Sequence, residues 1–67
     1  MNTKELKVEM LRHGDTGITL SNAIGISETS FSNKINAKDT EFTQSEITLI
    51  RKRYKLSPER VVEIFLQ

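Results

Sequence analysis

The chain has 67 residues, enough for one domain with a small core. It contains no cysteine, which excludes disulfide and thiolate chemistry and suits a reducing cytoplasm. The formal net charge is only +1, so a nucleic-acid-binding surface requires charges that are segregated in space. No apolar run approaches the roughly 20 residues that span a bilayer, and the N-terminus lacks the apolar core of a signal peptide. We therefore expect a single domain over residues 1–67, in the cytoplasm and without a membrane partner.

The first predicted helix covers residues 2–13, where Asn2 or Thr3 can cap the N-terminus. Three apolar side chains form its predicted inner face, the last of them at the edge: Leu6, Met10 and Leu11. Gly14 is predicted to end this helix. His13 is the only histidine and lacks partners for a metal or catalytic site, so it is interpreted as a helix-end cation or a plain surface residue.

A helix, a short turn and a second helix are predicted between Thr16 and Asn36. Asp15 or Thr16 can cap the first of these helices, in which Leu20 and Ile24 lie four positions apart on one face. A Gly-Ile-Ser turn follows, because glycine adopts the left-handed conformation at little cost. This order of elements is typical of a helix-turn-helix motif.

The second helix of the motif is predicted to have one buried and one exposed face. Ser27 is its predicted cap, and Ile26 with Phe31 has the spacing of a hydrophobic staple. Phe31 and Ile35 continue the apolar stripe. Four small hydrogen-bonding side chains recur at helical spacing on the other face: Thr29, Ser32, Asn33 and Asn36. Asn can pair with adenine, and Ser or Thr can donate or accept hydrogen bonds in the major groove, so we expect this face to read bases. The alternative is that these residues are weak helix formers that are merely exposed to solvent.

Two further helices are predicted after a polar loop. Thr43 and Glu46 form a capping box at the start of the fourth helix, and Phe42 with Ile47 repeats the staple spacing. The cationic end of this helix, residues 51–55, is interpreted as a complement to the helix dipole, with phosphate contact as the alternative.

The fifth predicted helix is the most apolar stretch of the chain. Ser57 can cap it, Pro58 fits its first position, and Leu56 with Val61 gives a third staple. One helix face cannot hold all of its apolar side chains, so some are candidates for contact with a second copy of the chain or with another protein. The candidate interface residues are Val62, Phe65 and Leu66. A terminal helix that is deeply buried is the alternative. For the structure itself, a short β-strand over residues 61–66 is the second choice, and Pro58 with Glu59 favours the helix.

No enzymatic site is predicted from the sequence. The chain offers no nucleophile–base pair, no glycine-rich phosphate loop and no cluster of metal ligands, so we expect no catalysis, no cofactor and no metal. Glu41 with Glu46, and Glu59 with Glu63, can be read as paired carboxylates, and both pairs are interpreted as solvated charge.

The motif resembles a known family. Leu20-Ser-Asn-Ala-Ile-Gly-Ile-Ser27, followed by Thr29-Ser-Phe31, is similar to the helix-turn-helix of phage repressor and Cro-type regulators, the xenobiotic-response-element-like family, and most of all to small regulators of Gram-positive bacteriophages. The resemblance extends from about Leu6 to Phe65. It implies an all-α, five-helix lambda-repressor-like DNA-binding domain, with the motif at residues 16–36. Gly17 departs from the family, whose members often carry there a glutamine that contacts the phosphate backbone.

The resemblance implies sequence-specific binding of double-stranded operator DNA in a bacterial host cell. The candidate DNA-binding residues lie on the second motif helix, at its cap and beside its end: Ser27, Glu28, Thr29, Ser32, Asn33, Asn36, Lys34 and Lys38. Because one such domain binds weakly, a homodimer on half-sites one helical turn apart is expected. The alternative function is a modulator (antirepressor) on the same fold, which binds a cognate phage repressor; the low net charge, Gly17 and Glu28 favour it.

Overall fold

Five α-helices make up the computed structural model of the chain, which describes residues 1–36 and 40–66. Their bounds are α1 (Thr3–Arg12), α2 (Gly17–Ile24), α3 (Glu28–Ile35), α4 (Gln44–Tyr54) and α5 (Pro58–Phe65). Those two ranges contain no β-strand, which confirms the all-α prediction. Within them, a helix with the length and apolar character needed to cross a membrane does not occur.

Side-chain caps start all five helices, as the sequence predicts. Each cap accepts a hydrogen bond from a backbone N–H of the first turn that follows: Asn2, Thr16, Ser27, Thr43 and Ser57. Of the two candidates for α2, Thr16 is the cap, and it forms a capping box with Thr19. The predicted capping box of Thr43 with Glu46 is also present. The start of each helix is therefore determined locally.

Left-handed residues end or follow three of the helices, α1, α2 and α4. Gly14 follows α1 with φ of 71°, and Gly25 caps α2 with φ of 76°, so both glycines occupy conformations that other residues rarely adopt. Lys55 ends α4 in the same region, with φ of 53°, although it carries a side chain. Because Gly25 ends α2 in this conformation, only three residues separate α2 from α3.

One apolar core holds the helices together, with α2 packed on α3 and α4, and α1 packed on α5. The buried apolar residues are Leu6, Met10, Leu20, Ile24, Phe31, Ile35, Phe42, Ile50, Tyr54, Leu56 and Ile64. The prediction for Leu11 was wrong, because this side chain is 83% exposed. It lies about 140° around the helix from Leu6, which turns it away from the core.

Candidate nucleic-acid interface

Apolar contacts on its inner face and a hydrogen bond at its C-terminal end fix the position of α3. Phe31 and Ile35 are buried on its inner face, and the Phe31 ring meets the edge of the Phe42 ring, with 5.8 Å between their centroids. The Thr3 hydroxyl donates to the backbone oxygen of Ile35 over 2.7 Å, which joins the start of α1 to the end of α3. Because both ends of the buried stripe are held, the outer face of α3 has a defined orientation.

That outer face presents small polar side chains to solvent. The four residues of the predicted stripe are all exposed: Thr29, Ser32, Asn33 and Asn36. Asn36 donates weakly to the Ser32 hydroxyl, over 3.4 Å, whereas the Asn33 amide has no hydrogen-bond partner among the described residues. Ser27 is exposed too, but its oxygen is occupied in capping, where it accepts from the Ser30 backbone N–H.

An open groove of about 540 Å³ runs beside this face. Its walls combine residues of three helices, with Lys7 on α1, Gly17 on α2, and Glu28 and Asn33 on α3. Gly17 is part of the groove wall, and a β-carbon at this position would lie 3.6 Å from the Phe31 ring, an ordinary van der Waals contact. The structure therefore places a lysine of α1 next to the predicted base-reading stripe.

The sequence pattern does not single out Lys7 as a candidate binding residue. It is exposed and enters no ion pair among the described residues. Nothing local in the sequence of α1 marks this lysine, since its relation to Asn33 arises only when α1 packs beside α3.

Lys34 is less available than its position in the sequence indicates. Its ammonium group lies 2.7 Å from the Glu46 carboxylate, and both side chains are only 12% exposed. The same carboxylate accepts from the Thr43 backbone N–H in the capping box. Burial alone raises the pKa of Glu46, but the hydrogen bonds from Lys34 and Thr43 and the charge of Lys34 outweigh it, so the pKa lies below its ordinary value.

The interpretation of Glu46 as solvated charge was therefore wrong, because helix packing gives the carboxylate a lysine partner twelve positions away. Its companion Glu41 is exposed. In the second pair, Glu59 is exposed and Glu63 contacts Arg60 at 3.3 Å. The other candidate phosphate ligand, Lys38, lies outside the described residues.

Away from α3, a buried carboxylate joins α1 to α5. The Glu9 side chain is 4% exposed, and both Nε and Nη2 of Arg60 lie 2.8 Å from its Oε2 atom. Arg12 approaches the same oxygen at 3.2 Å. Arg60 also reaches Glu5 over 2.7 Å. These ion pairs satisfy a charge that burial alone would destabilise.

A second carboxylate joins the α1–α2 turn to α4. Asp15 receives two hydrogen bonds from the Arg53 guanidinium, at 2.8 and 2.7 Å, and one from the Tyr54 hydroxyl at 2.6 Å. Thr19 donates to it as well. The bond from Arg53, together with those from Tyr54 and Thr19, outweighs burial and holds the pKa of Asp15 far below its usual range. His13 stacks on Tyr54, with ring centroids 4.4 Å apart.

This second site accounts for part of the cationic end of α4. Arg53 is engaged by Asp15, whereas Arg51 and Lys52 are exposed in the last turn of the helix. Cations in a last turn complement the negative end of the helix dipole.

The candidate interface residues of α5 differ in exposure. Val62 is 44% exposed and Leu66 is 71% exposed, whereas Ile64 is completely buried. Phe65 is partly buried and meets the edge of Phe42, with centroids 6.0 Å apart. The helix therefore buries one face and leaves apolar surface over, as the sequence predicts.

In residues 1–36 and 40–66, no group of three or more His, Cys, Asp or Glu side chains is arranged to hold a metal ion. Comparisons of the chain with protein-family models, with curated proteins and with solved structures find no match.

Proposed function

We propose that this protein is a sequence-specific DNA-binding transcription regulator of the phage repressor and Cro type, with α2 and α3 as its helix-turn-helix. The observation that carries the proposal is the outer face of α3, where Thr29, Ser32 and Asn33 project away from buried Phe31. An eight-residue helix is about 12 Å long, and the major groove of B-DNA, about 12 Å wide, admits an α-helix. The short side chains of this face allow base edges to approach closely.

Contacts with the DNA backbone are assigned to groups around α3. Lys7 borders the same groove as Asn33 and has no competing ion pair among the described residues, so it can neutralise a phosphate. Backbone N–H groups at helix N-termini supply further phosphate contacts. Lys34 contributes little, because Glu46 already neutralises it.

Two copies on neighbouring half-sites supply the affinity that one domain lacks. Half-sites one helical turn apart have centres about 34 Å apart, and the domain measures 28 × 24 × 20 Å, so two copies fit side by side. The exposed apolar side chains of α5, Val62 and Leu66, with Phe65 beside them, form the proposed contact between the copies.

A mobility-shift titration with duplexes that tile the promoter region of the parent genome tests this function. We expect the protein alone to retard at least one duplex, with an affinity that falls steeply as salt rises, because counterions are released from neutralised phosphates. Asn33→Ala is expected to lose the preference for that duplex. Asn22→Ala, the same substitution at an exposed position of α2, is expected to keep it. If no duplex is retarded at about 50 mM salt, the DNA-binding proposal is wrong.

One observation favours a second function, a repressor-binding modulator. Within the described residues, α3 has no cation without a partner, since Lys34 pairs with Glu46, and it exposes the acidic side chain of Glu28. Such a face suits a protein partner better than phosphate. This function predicts a stable complex with the cognate phage repressor in sedimentation velocity and little retardation of DNA by the protein alone.

A further inference from the structure

We propose that α3 selects half-sites by adenine recognition, with Asn33 as the residue that determines specificity and guanine disfavoured opposite it. This inference rests on the proposed DNA-binding function. It names the base class that the exposed face accepts, on the basis of the donors and acceptors that remain available once the internal bonds of the domain are made.

Guanine recognition in the major groove depends on two neighbouring acceptors, O6 and N7, which a bidentate arginine or lysine satisfies. On α3 the single cation is Lys34, and its ammonium group is held 2.7 Å from Glu46 with only 12% of the side chain exposed. The Glu28 carboxylate only accepts hydrogen bonds, so it repels both guanine acceptors. On α3 itself, therefore, no arginine or available lysine can make the bidentate contact that guanine recognition uses.

Adenine presents one acceptor, N7, beside one donor, the N6 amino group, and a side-chain amide matches this pair. Asn33 meets three requirements at once: it is exposed, it borders the groove and its amide is not engaged by other described residues. Asn36 is the poorer candidate, because it already donates to Ser32. Thr29, one turn before Asn33, carries a methyl group that can contact the thymine methyl.

Selection from a random duplex library by the full chain, followed by sequencing, tests the inference. We expect an enriched motif with adenine at one position, and we expect Asn33→Ala to flatten the preference at that position alone. Affinity for the selected site, measured by fluorescence anisotropy, is expected to fall about 5- to 150-fold for Asn33→Ala, the range of one bidentate base contact. Asn22→Ala is the matched control and is expected to leave motif and affinity unchanged.

Asn33→Asp provides a second variant of nearly the same shape. It keeps the acceptor and removes the donor, so its preference is expected to move from adenine towards cytosine, whose N4 amino group donates. Melting temperatures that match the wild type will show that these exposed variants remain folded.

The outcomes separate this inference from the function on which it rests. Enrichment of guanine at the position that Asn33→Ala flattens, or a motif that no Asn33 variant alters, overturns the adenine assignment while DNA binding stands. Retardation without any enriched motif also overturns it. A failure to bind any duplex at low salt overturns the DNA-binding function and the inference together.

Discussion

The outer face of α3 and the contacts between the other helices use charge in contrasting ways. In those contacts, the side chains of Glu9 and Asp15 are almost completely buried, and each meets an arginine of another helix. On the α3 face the exposed groups are mostly neutral amides and hydroxyls, and the one cation of the helix is bound to Glu46. Much of the charge in this small domain therefore stabilises contacts between its own helices, which leaves on α3 a hydrogen-bonding surface whose one exposed charge is Glu28.

The net charge of +1 is consequently a poor guide to the surface that a partner meets. Ion pairs occupy the cations Arg12, Lys34, Arg53 and Arg60. Within the described ranges, the cations that enter no ion pair are Lys4, Lys7, Arg51, Lys52 and Lys55, and the corresponding anions are Glu28, Glu41 and Glu59. The described surface therefore carries an excess of positive charge. Of these unpaired groups, the cation Lys7 and the anion Glu28 border the groove beside α3.

The largest expected effect comes from the ion pair between α1 and α5. Glu9→Gln removes the buried negative charge and leaves Arg60, only 19% exposed, without its main partner. We expect the free energy of unfolding to fall by about 3 kcal/mol, the low end of the range for breaking a buried pair, because Arg60 keeps Glu5 at 2.7 Å and Glu63 at 3.3 Å. This loss corresponds to roughly 15–20 °C in melting temperature for a domain of this size, as measured by circular dichroism.

Glu59→Gln is the matched control for that substitution, since Glu59 is exposed and lies outside every ion pair among the described residues. Its expected effect is within about 0.5 kcal/mol. Equal losses for Glu9→Gln and Glu59→Gln would show that the buried pair does not stabilise the domain.

A smaller effect, with a pH signature, is expected at the turn between α1 and α2. Asp15→Asn removes the charge that accepts from Arg53 and Tyr54, with an expected cost of about 1–2 kcal/mol at neutral pH because Arg53 is partly exposed to solvent. The pKa of Asp15 is lower in the folded state than in the unfolded state, so its stabilisation is present above about pH 4 and is lost as the pH falls below that value.

Urea unfolding at several pH values measures this dependence. The stability of the wild type is expected to decline more steeply than that of Asp15→Asn below about pH 4, so that the two converge in acid. Tyr54→Phe removes one donor to the same carboxylate but keeps the ring that stacks on His13, and its cost is expected to be smaller. Parallel pH profiles for wild type and Asp15→Asn would contradict the assignment.

The sequence predicts the helix-turn segment with α3 far better than it predicts the ion pairs between helices. The caps Thr16 and Ser27, the turn at Gly25 and the buried Phe31 were all predicted correctly, because each signal lies within a few residues of the structure it determines. The exposure of Asn33 follows from the same helical periodicity.

The ion pairs that join different helices were not predicted, because their members are far apart in the chain. Arg60 and Glu9 are 51 positions apart, and no local pattern distinguishes this arginine from an ordinary surface cation. For the same reason, Lys34 was predicted to contact phosphate although it pairs with Glu46. The position of Lys7 beside α3 was not predicted either. Helix periodicity gives the direction of a side chain on its own helix, whereas packing decides which charge it meets.

A pair of lysine substitutions measures this distinction between engaged and available charge. Lys34→Gln is expected to cost about 1 kcal/mol of stability and to leave the salt dependence of the proposed DNA binding nearly unchanged, because Glu46 already neutralises Lys34. Lys7→Gln is expected to alter stability by less than about 0.5 kcal/mol and to reduce the slope of log affinity against log salt by roughly 1. Denaturation and salt titration of both variants give the test, and the reverse pattern would show that Lys34, not Lys7, contacts phosphate.

The smallest expected effect concerns Gly17, which lies beside α3. A substitution at this position tests stability and DNA binding separately. A β-carbon at this position meets the Phe31 ring at 3.6 Å, an ordinary van der Waals contact, and the backbone is not left-handed. Gly17→Ala is therefore expected to stabilise the domain by about 0.5 kcal/mol, chiefly because alanine reduces the freedom of the unfolded chain. A melting temperature raised by a few degrees with unchanged DNA selectivity would show that the glycine is not needed to fold α2 or to read bases. If stability rises but DNA affinity falls, the methyl group of alanine occupies space that bound DNA requires. The groove beside Lys7 is then part of the binding surface.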